Sequence, residues 1–220
     1  FSLGSHTSYE IHVSKATAVG WTKISTNGNP KYNVYWSPGG IAINNNSADL
    51  ERFGRIYVLE NQGGDPAGGG NVRGFIDQGI YILNADFSDA LGRDDTASTG
   101  GIEFETGGAN DGVRSPNKIE IGEDGYIYVA DWSVTRGTVY RFDPEITTGE
   151  VVLGEPGQAT PSVHTTINGS AIVKGSLAGG DLTVWAVDGL GIGGSAPYNQ
   201  LRRWDINAGP LPFNGTPTGL

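Results

Sequence analysis

Three acidic residues stand at matching places in a repeated strand pattern. Gly-x-Ile-Tyr-Val-x-acid runs from Gly54 to Glu60 and again from Gly125 to Asp131, and a degenerate third copy ends Val184-Trp185-Ala186-Val187-Asp188. If the repeated strands are arranged radially, Glu60, Asp131 and Asp188 share one level of the molecule. Such a ring of carboxylates suits Ca²⁺, a hard cation that takes oxygen ligands. The plainer role for each carboxylate is to cap the turn of its own unit by accepting backbone N–H bonds. A second acidic set, Asp86, Asp89, Asp94 and Asp95 around Arg93, has the charge density to attract the same cation. It lacks the Asp-x-Asp-x-Asp-Gly spacing and closing Glu of an EF-hand, and Asx-type turns in a solvated loop account for the same residues.

Other chemistries find less material. The chain contains no cysteine and no Gly-x-Ser-x-Gly, so the usual activated nucleophiles are missing, and His6, His12 and His164 stand in no metal-ligand spacing. Gly189 to Gly194 matches Gly-x-Gly-x-x-Gly, but Ser195-Ala196-Pro197-Tyr198 then leads toward a strand. A dinucleotide site needs a helix to begin there. Trp36 and Trp132 sit beside turns, where an exposed pair would stack on sugar rings or a peptide. The other aromatics, at period two on strands, are expected to pack between units.

The elements that position these residues are short strands. Each copy of the pattern is followed by a glycine-containing loop and a second alternating run: Gly79 to Asn84, Thr138 to Asp143 and Gln200 to Asp205. Each is preceded by an opening strand, at Ile41-Ala42-Ile43, at Lys118 to Ile121 after Ser115-Pro116-Asn117, and at Ile172-Val173. No stretch sustains a helical period, and Ser47 to Phe53 makes one turn at most. An array of three-stranded antiparallel units predicts an all-β fold and, within it, a β-propeller with about three blades visible, at residues 27–98, 99–160 and 161–220. Propellers close with about 4 to 8 blades, so the chain reads as part of a larger ring. Residues 1–26 hold two strands, Tyr9 to Val13 and Trp21 to Ile24, outside the repeat. They read as the end of an upstream β-sandwich module.

Composition bounds the partners. With 220 residues, 37% hydrophobic and 10% aromatic, there is ample material for a core, and the 36 glycines gather between apolar runs as turns require. A formal charge of -10 with no Lys/Arg cluster repels a phosphate backbone, which excludes nucleic acid as a partner. The longest apolar run, Leu182 to Val187, is too short to span a bilayer, so no membrane insertion is expected. The chain begins at Phe1 and has no methionine, as a processed product would. Its acidic, lysine-poor character suits a secreted or cell-surface bacterial protein.

The run Pro116 to Asp131 resembles the repeat of NHL-type and gluconolactonase-like six-bladed propellers. Phe53 to Val58, Gly79 to Asp86, Ala130-Asp131-Trp132-Ser133 and Trp204-Asp205-Ile206 are similar to a group of uncharacterised secreted bacterial propeller proteins that carry immunoglobulin-like modules before the propeller. The resemblance covers most of residues 27–212 and implies the fold. For function it leaves three expectations. The first is a non-catalytic binding or assembly module of a bacterial surface or extracellular protein, contacting protein or glycan at the cell surface or matrix. The second is a metal-dependent lactonase-like hydrolase using axial carboxylates, since gluconolactonase-like propellers hold a divalent metal there. The third is a structural subunit of an extracellular filament or envelope layer, whose strand edges meet further copies or the rest of a larger parent chain.

Overall fold

Runs of β-branched and aromatic residues bounded by glycine and asparagine favour strands, because such side chains pack on a pleated surface while the flanking residues turn the chain. The computed structural model describes residues 2–3, 11–17, 20–26, 38–60, 79–86, 88–91, 97–102, 116–131, 138–154, 172–188, 200–207 and 211–213. Every regular element among them is a strand, so the fold is all-β. The chain divides into two compact units, Phe1–Ser98 and Thr99–Leu220.

The first unit holds two antiparallel sheets. One is formed by β1 (Ser2–Leu3), β2 (Ile11–Thr17) and β3 (Gly20–Thr26), in that order. The sequence suggested two strands in this region; the third, β1, is only two residues long and carries no alternation that could announce it. The other sheet is the first copy of the repeat, with β4 (Pro38–Ile43), β5 (Ile56–Glu60) and β6 (Gly79–Leu83) in sequential order. Beyond β6 the edge is partly closed by Ser98, which exchanges two 2.9 Å backbone hydrogen bonds with Ile80, and by a bridge between Leu83 and Asp89.

The second unit holds the other two copies. The sheet β10-β9-β8-β7 comprises β7 (Pro116–Ile121), β8 (Ile127–Asp131), β9 (Thr138–Phe142) and β10 (Gly149–Leu153). The fourth strand is an addition to the three-strand unit read from the sequence. Beyond it, Phe213 N donates to Val152 O at 2.9 Å and Gly154 N donates to Phe213 O at 3.1 Å, so the segment after the last strand returns to lie parallel beside β10. The final sheet is β11 (Ile172–Lys174), β12 (Asp181–Asp188) and β13 (Gln200–Asn207). β13 continues past Asp205, where the sequence pattern ended, because β12 is eight residues long and pairs along its whole length.

These two sheets pack face to face. Tyr128, Ala130, Val139 and Leu153 on one side meet Val173, Leu182, Val184, Ala186 and Trp204 on the other, all 3% exposed or less. Burying a Val, Leu or Phe side chain fully is worth about 1.5–3 kcal/mol, as an upper bound. A single net hydrogen bond is worth about 1 kcal/mol. Apolar burial therefore holds the sheets together, and polar contacts fix how they meet.

Burial follows two patterns. β12 alternates, with Leu182, Val184 and Ala186 buried and Thr183 and Trp185 half-buried, as in an antiparallel sheet covered on one side. All five residues of β5, of β6 and of β8 are buried, so these strands are covered on both sides.

Each of the first two repeats enters its central strand through a glycine in the left-handed region: Gly54 and Gly125 both have φ +81°. A Cβ at Gly125 would meet nothing within 4 Å, whereas one at Gly54 would come 3.1 Å from the Ala85 methyl. Gly125→Ala is expected to cost about 1–2 kcal/mol from backbone strain alone. Gly125→Asn should cost less, since asparagine tolerates this region. Chemical denaturation of the two variants tests the order; equal losses would mean that backbone conformation is not what selects the glycine.

Candidate functional site

Glu60 and Asp131 occupy equivalent positions in the backbone. Each ends the central strand of its sheet, six residues after its left-handed glycine, and each lies opposite a proline that opens the first strand. Pro38 pairs with Glu60 and Pro116 with Asp131, and in both sheets the register shifts immediately after that proline. On the other side Glu60 pairs with Gly79 and Asp131 with Thr138. Both carboxylates are buried, at 0% and 1% exposure, and neither is without a partner. Burying an ionised carboxylate is costly unless hydrogen bonds or a cation compensate it.

Asp188 stands differently. Counted from the left-handed Gly180, it is eight residues along rather than six, and it pairs with Gln200. Among the described residues, β11 pairs with β12 from Ile172 opposite Trp185 to Lys174 opposite Thr183, with no proline and no register shift. Its side chain, together with Asp94, Asp95, Trp36 and Trp132, lies outside the described residues. Among the described residues, no three His, Cys, Asp or Glu side chains converge to hold a metal.

Asp86 and Asp89 make local turns. Asp86 Oδ1 accepts from Ser88 N at 3.0 Å and from Ser88 Oγ at 2.6 Å, and these bonds hold its carboxyl below the ordinary 3.8. Asp89 Oδ1 accepts from Leu91 N at 2.9 Å, and Asn84 Nδ2 donates to Ser88 Oγ at 2.9 Å. These are the Asx-type turns that the loop composition allowed.

A polar row that sequence reasoning missed crosses all four strands of the second unit's larger sheet. Glu120 pairs with Tyr128, Tyr128 with Arg141, and Arg141 with Glu150. Tyr128 Oη donates to Asp124 Oδ2 at 2.8 Å, and burial together with the Asp124 charge pushes the phenol far above its ordinary range, so it stays neutral. Arg141 Nε donates to Glu150 Oε1 at 2.8 Å, its Nη2 contacts the same oxygen, and its guanidinium lies 4.7 Å from the Tyr126 ring centroid. The only sequence signal for the row was period-two alternation, Tyr126 and Tyr128 falling on one face with Glu120.

Glu120 links two sheets: its Oε1 accepts from Val173 N of β11 at 2.7 Å. Lys174 Nζ lies 3.8 Å from Glu123 Oε1 beside it. Burial raises the Glu120 carboxyl above its ordinary 4.5, against the lowering effects of the Val173 N–H and Lys118. Asp143 works within one loop. Its Oδ1 accepts from N and Oγ1 of both Thr147 and Thr148, and its Oδ2 accepts from Glu145 N, five bonds in all. Burial pushes this carboxyl up, but the bonds from Thr148, Thr147 and Glu145 outweigh it and leave the group below 3.8.

The site residues thus sort into two buried carboxylates in equivalent frames and a set of polar groups that tie loops and sheets together. The fold that carries them is all-β, built of small antiparallel sheets. The chain matches no family model, no curated protein and no solved structure.

Two pH-dependent outcomes follow. A carboxyl whose pKa is raised on folding contributes stability in full below its unfolded pKa and loses it as pH rises through the folded one. Ionised Glu120 therefore costs stability at pH 7. Glu120→Gln, which keeps an acceptor for Val173 N, should melt higher than the parent at pH 7, with the gap closing toward about pH 4. Glu120→Ala should lose about 1 kcal/mol. For Asp143 the sign reverses: its contribution is present above the unfolded pKa and lost as pH falls through the folded one. Asp143→Ala should cost about 2 kcal/mol at neutral pH and progressively less in acid. Melting curves across pH check both; a Glu120→Gln protein less stable at pH 7 would contradict the first, and a pH-independent Asp143→Ala loss the second.

Proposed function

We propose that the chain is a secreted, non-catalytic β-propeller module that serves binding or assembly on a bacterial surface or matrix, its repeat sheets being blades of a larger ring. The observation that carries this reading is the way neighbouring repeats meet in the second unit. Their first strands, β7 and β11, lie side by side and are tied by the Glu120 to Val173 bond, while their faces share one apolar core. Strands buried on both sides, as β5 and β8 are, fit blades stacked between neighbours. The polar row on β7 to β10 is spent on internal pairing, which suits a scaffold. Partners would be protein or glycan met by loops and by half-buried faces such as that of Trp185.

A second reading, a metal-dependent lactonase-like hydrolase, is favoured by one observation, the burial of Glu60 and Asp131 in equivalent frames. Assay of the purified protein against a panel of lactones and sugar esters, with Ca²⁺ or Zn²⁺ supplied, separates the two. No turnover above buffer and substoichiometric metal by elemental analysis are expected. Turnover that disappears in Glu60→Gln or Asp131→Asn would replace the scaffold reading with the hydrolase.

A further inference from the structure

The two repeats that share the Gly-x-Ile-Tyr-Val frame close their first hairpin very differently. Between β7 and β8 the turn occupies only residues 122–126, with Gly122 N donating to Tyr126 O at 2.8 Å. Its exposed aromatic, Tyr126, is covered on one face by the Arg141 guanidinium. Between β4 and β5 the connection runs through residues 44–55. Closing such a hairpin does not require that length.

The longer loop is a built object. Asn44 Oδ1 accepts from Asn46 N at 2.9 Å, Asn46 Oδ1 accepts from Ala48 N at 3.0 Å, and Asn44 Nδ2 donates to Asp49 Oδ2 at 2.8 Å. Successive backbone bonds from Asp49 N to Asn46 O, Arg52 N to Asp49 O and Arg55 N to Arg52 O wind it into consecutive turns. On this frame sit Leu50, 82% exposed, and Phe53, 56% exposed, three residues apart. They are the two most exposed large apolar side chains among the described residues. Exposed in the folded chain much as in the unfolded one, they contribute little to holding the loop together.

The surroundings carry a sign. Gly54 lies against Ala85 of the loop that follows β6, so both loops belong to one end of the sheet. That end carries Asp49, Glu51, Asp86 and Asp89. Its guanidiniums among the described residues are Arg52, which lies 3.4 Å from Asp49 and 4.0 Å from Glu51, and Arg55, which is buried. Among the described residues this makes four carboxylates to two guanidiniums, the Glu51 side chain is 77% exposed, and the whole chain is at -10. Anionic lipid and nucleic acid are repelled by such a surface.

We infer that this end of the β4-β5-β6 sheet is a docking surface for a cationic polypeptide segment carrying apolar side chains, with Leu50 and Phe53 as its anchors and Glu51 and Asp86 as its charged rim. A pre-ordered loop pays little ordering entropy on binding, and an apolar anchor within a charged rim is the usual anatomy of a protein contact. The inference narrows the binding role proposed above to one surface and rests on that role. Lactone turnover would sink the scaffold reading without touching peptide binding, whereas loss of peptide binding would remove this surface and leave the scaffold reading standing.

The test uses the full chain and a fluorescein-labelled peptide of alternating lysine and leucine, followed by anisotropy, with lysine-serine and glutamate-leucine peptides for comparison. The lysine-leucine peptide should bind best. Leu50→Ser/Phe53→Ser should weaken it about tenfold. Glu51→Gln/Asp86→Asn should weaken it several-fold at low salt and little at about 0.5 M salt. Glu123→Gln, an exposed acid of the other unit, should have no effect. Because Leu50 and Phe53 are exposed, their replacements should leave the melting temperature unchanged, and melting curves verify it. No binding, equal binding by the loop variants, an equal loss with Glu123→Gln, or association with neutral phosphatidylcholine vesicles in place of the peptide would each overturn the proposal.

Discussion

Burial of the central strands on both sides is the constraint from which the other features follow. In a sheet with one wet face, every second residue is free to be polar. In β5 and β8 no position has that freedom. Both strands accordingly read Ile-Tyr-Val, with the tyrosines fully covered. Polar side chains admitted to such a strand must be matched by specific partners. Tyr128 meets this demand through Asp124, and Glu120 at the sheet margin meets it through the backbone of the next sheet. Glu60 and Asp131 obey the same rule at the strand ends, where a proline opposite and a register shift beside it recur together.

The loops divide by what their polar residues do. Around Asp143 one carboxylate satisfies a whole turn and allows the chain to enter β10, with Ile146 held buried at a φ of 50° within the same loop. A non-glycine residue in that region is uncommon, and the density of bonds to Asp143 is what compensates its strain. Around Asn44 the same kind of side-chain bonding supports a longer excursion whose apolar residues face outward. Similar local chemistry thus either seals a sheet or builds a projection from it.

Much of the architecture was legible because the strands advertise themselves. β5, β6, β8 and β9 each have a glycine at or just before the start and are dominated by β-branched and aromatic residues, so type and position were readable from local pattern. β10 was not, since Gly149-Glu150-Val151-Val152-Leu153 neither alternates nor stands apart from the turn before it. The two-sided burial of the central strands was foreshadowed by their unbroken apolar runs, but what covers them was not. The Glu120 bridge was illegible for a different reason: it joins residues 53 apart through a register that only the packed sheets establish. Asp86 and Asp89 were readable as turn formers because their partners are two residues away. Asp188 shares with Glu60 and Asp131 a place at the end of a strand, but it lies eight residues from its left-handed glycine where they lie six from theirs, a difference that the sequence pattern alone does not reveal.

The return of Phe213 to β10 gives the second unit an order of completion. β10 is synthesised about sixty residues before the segment that pairs beside it, and the intervening chain contains the whole of the following sheet. During synthesis, the outer margin of β10 therefore waits, accessible to any extended segment in its vicinity, until β13 is made and the segment around Phe213 follows it. Closing that margin late makes residues 211–213 the fastener of an earlier layer, so the unit reaches its mature state by a long-range contact that is slow to form.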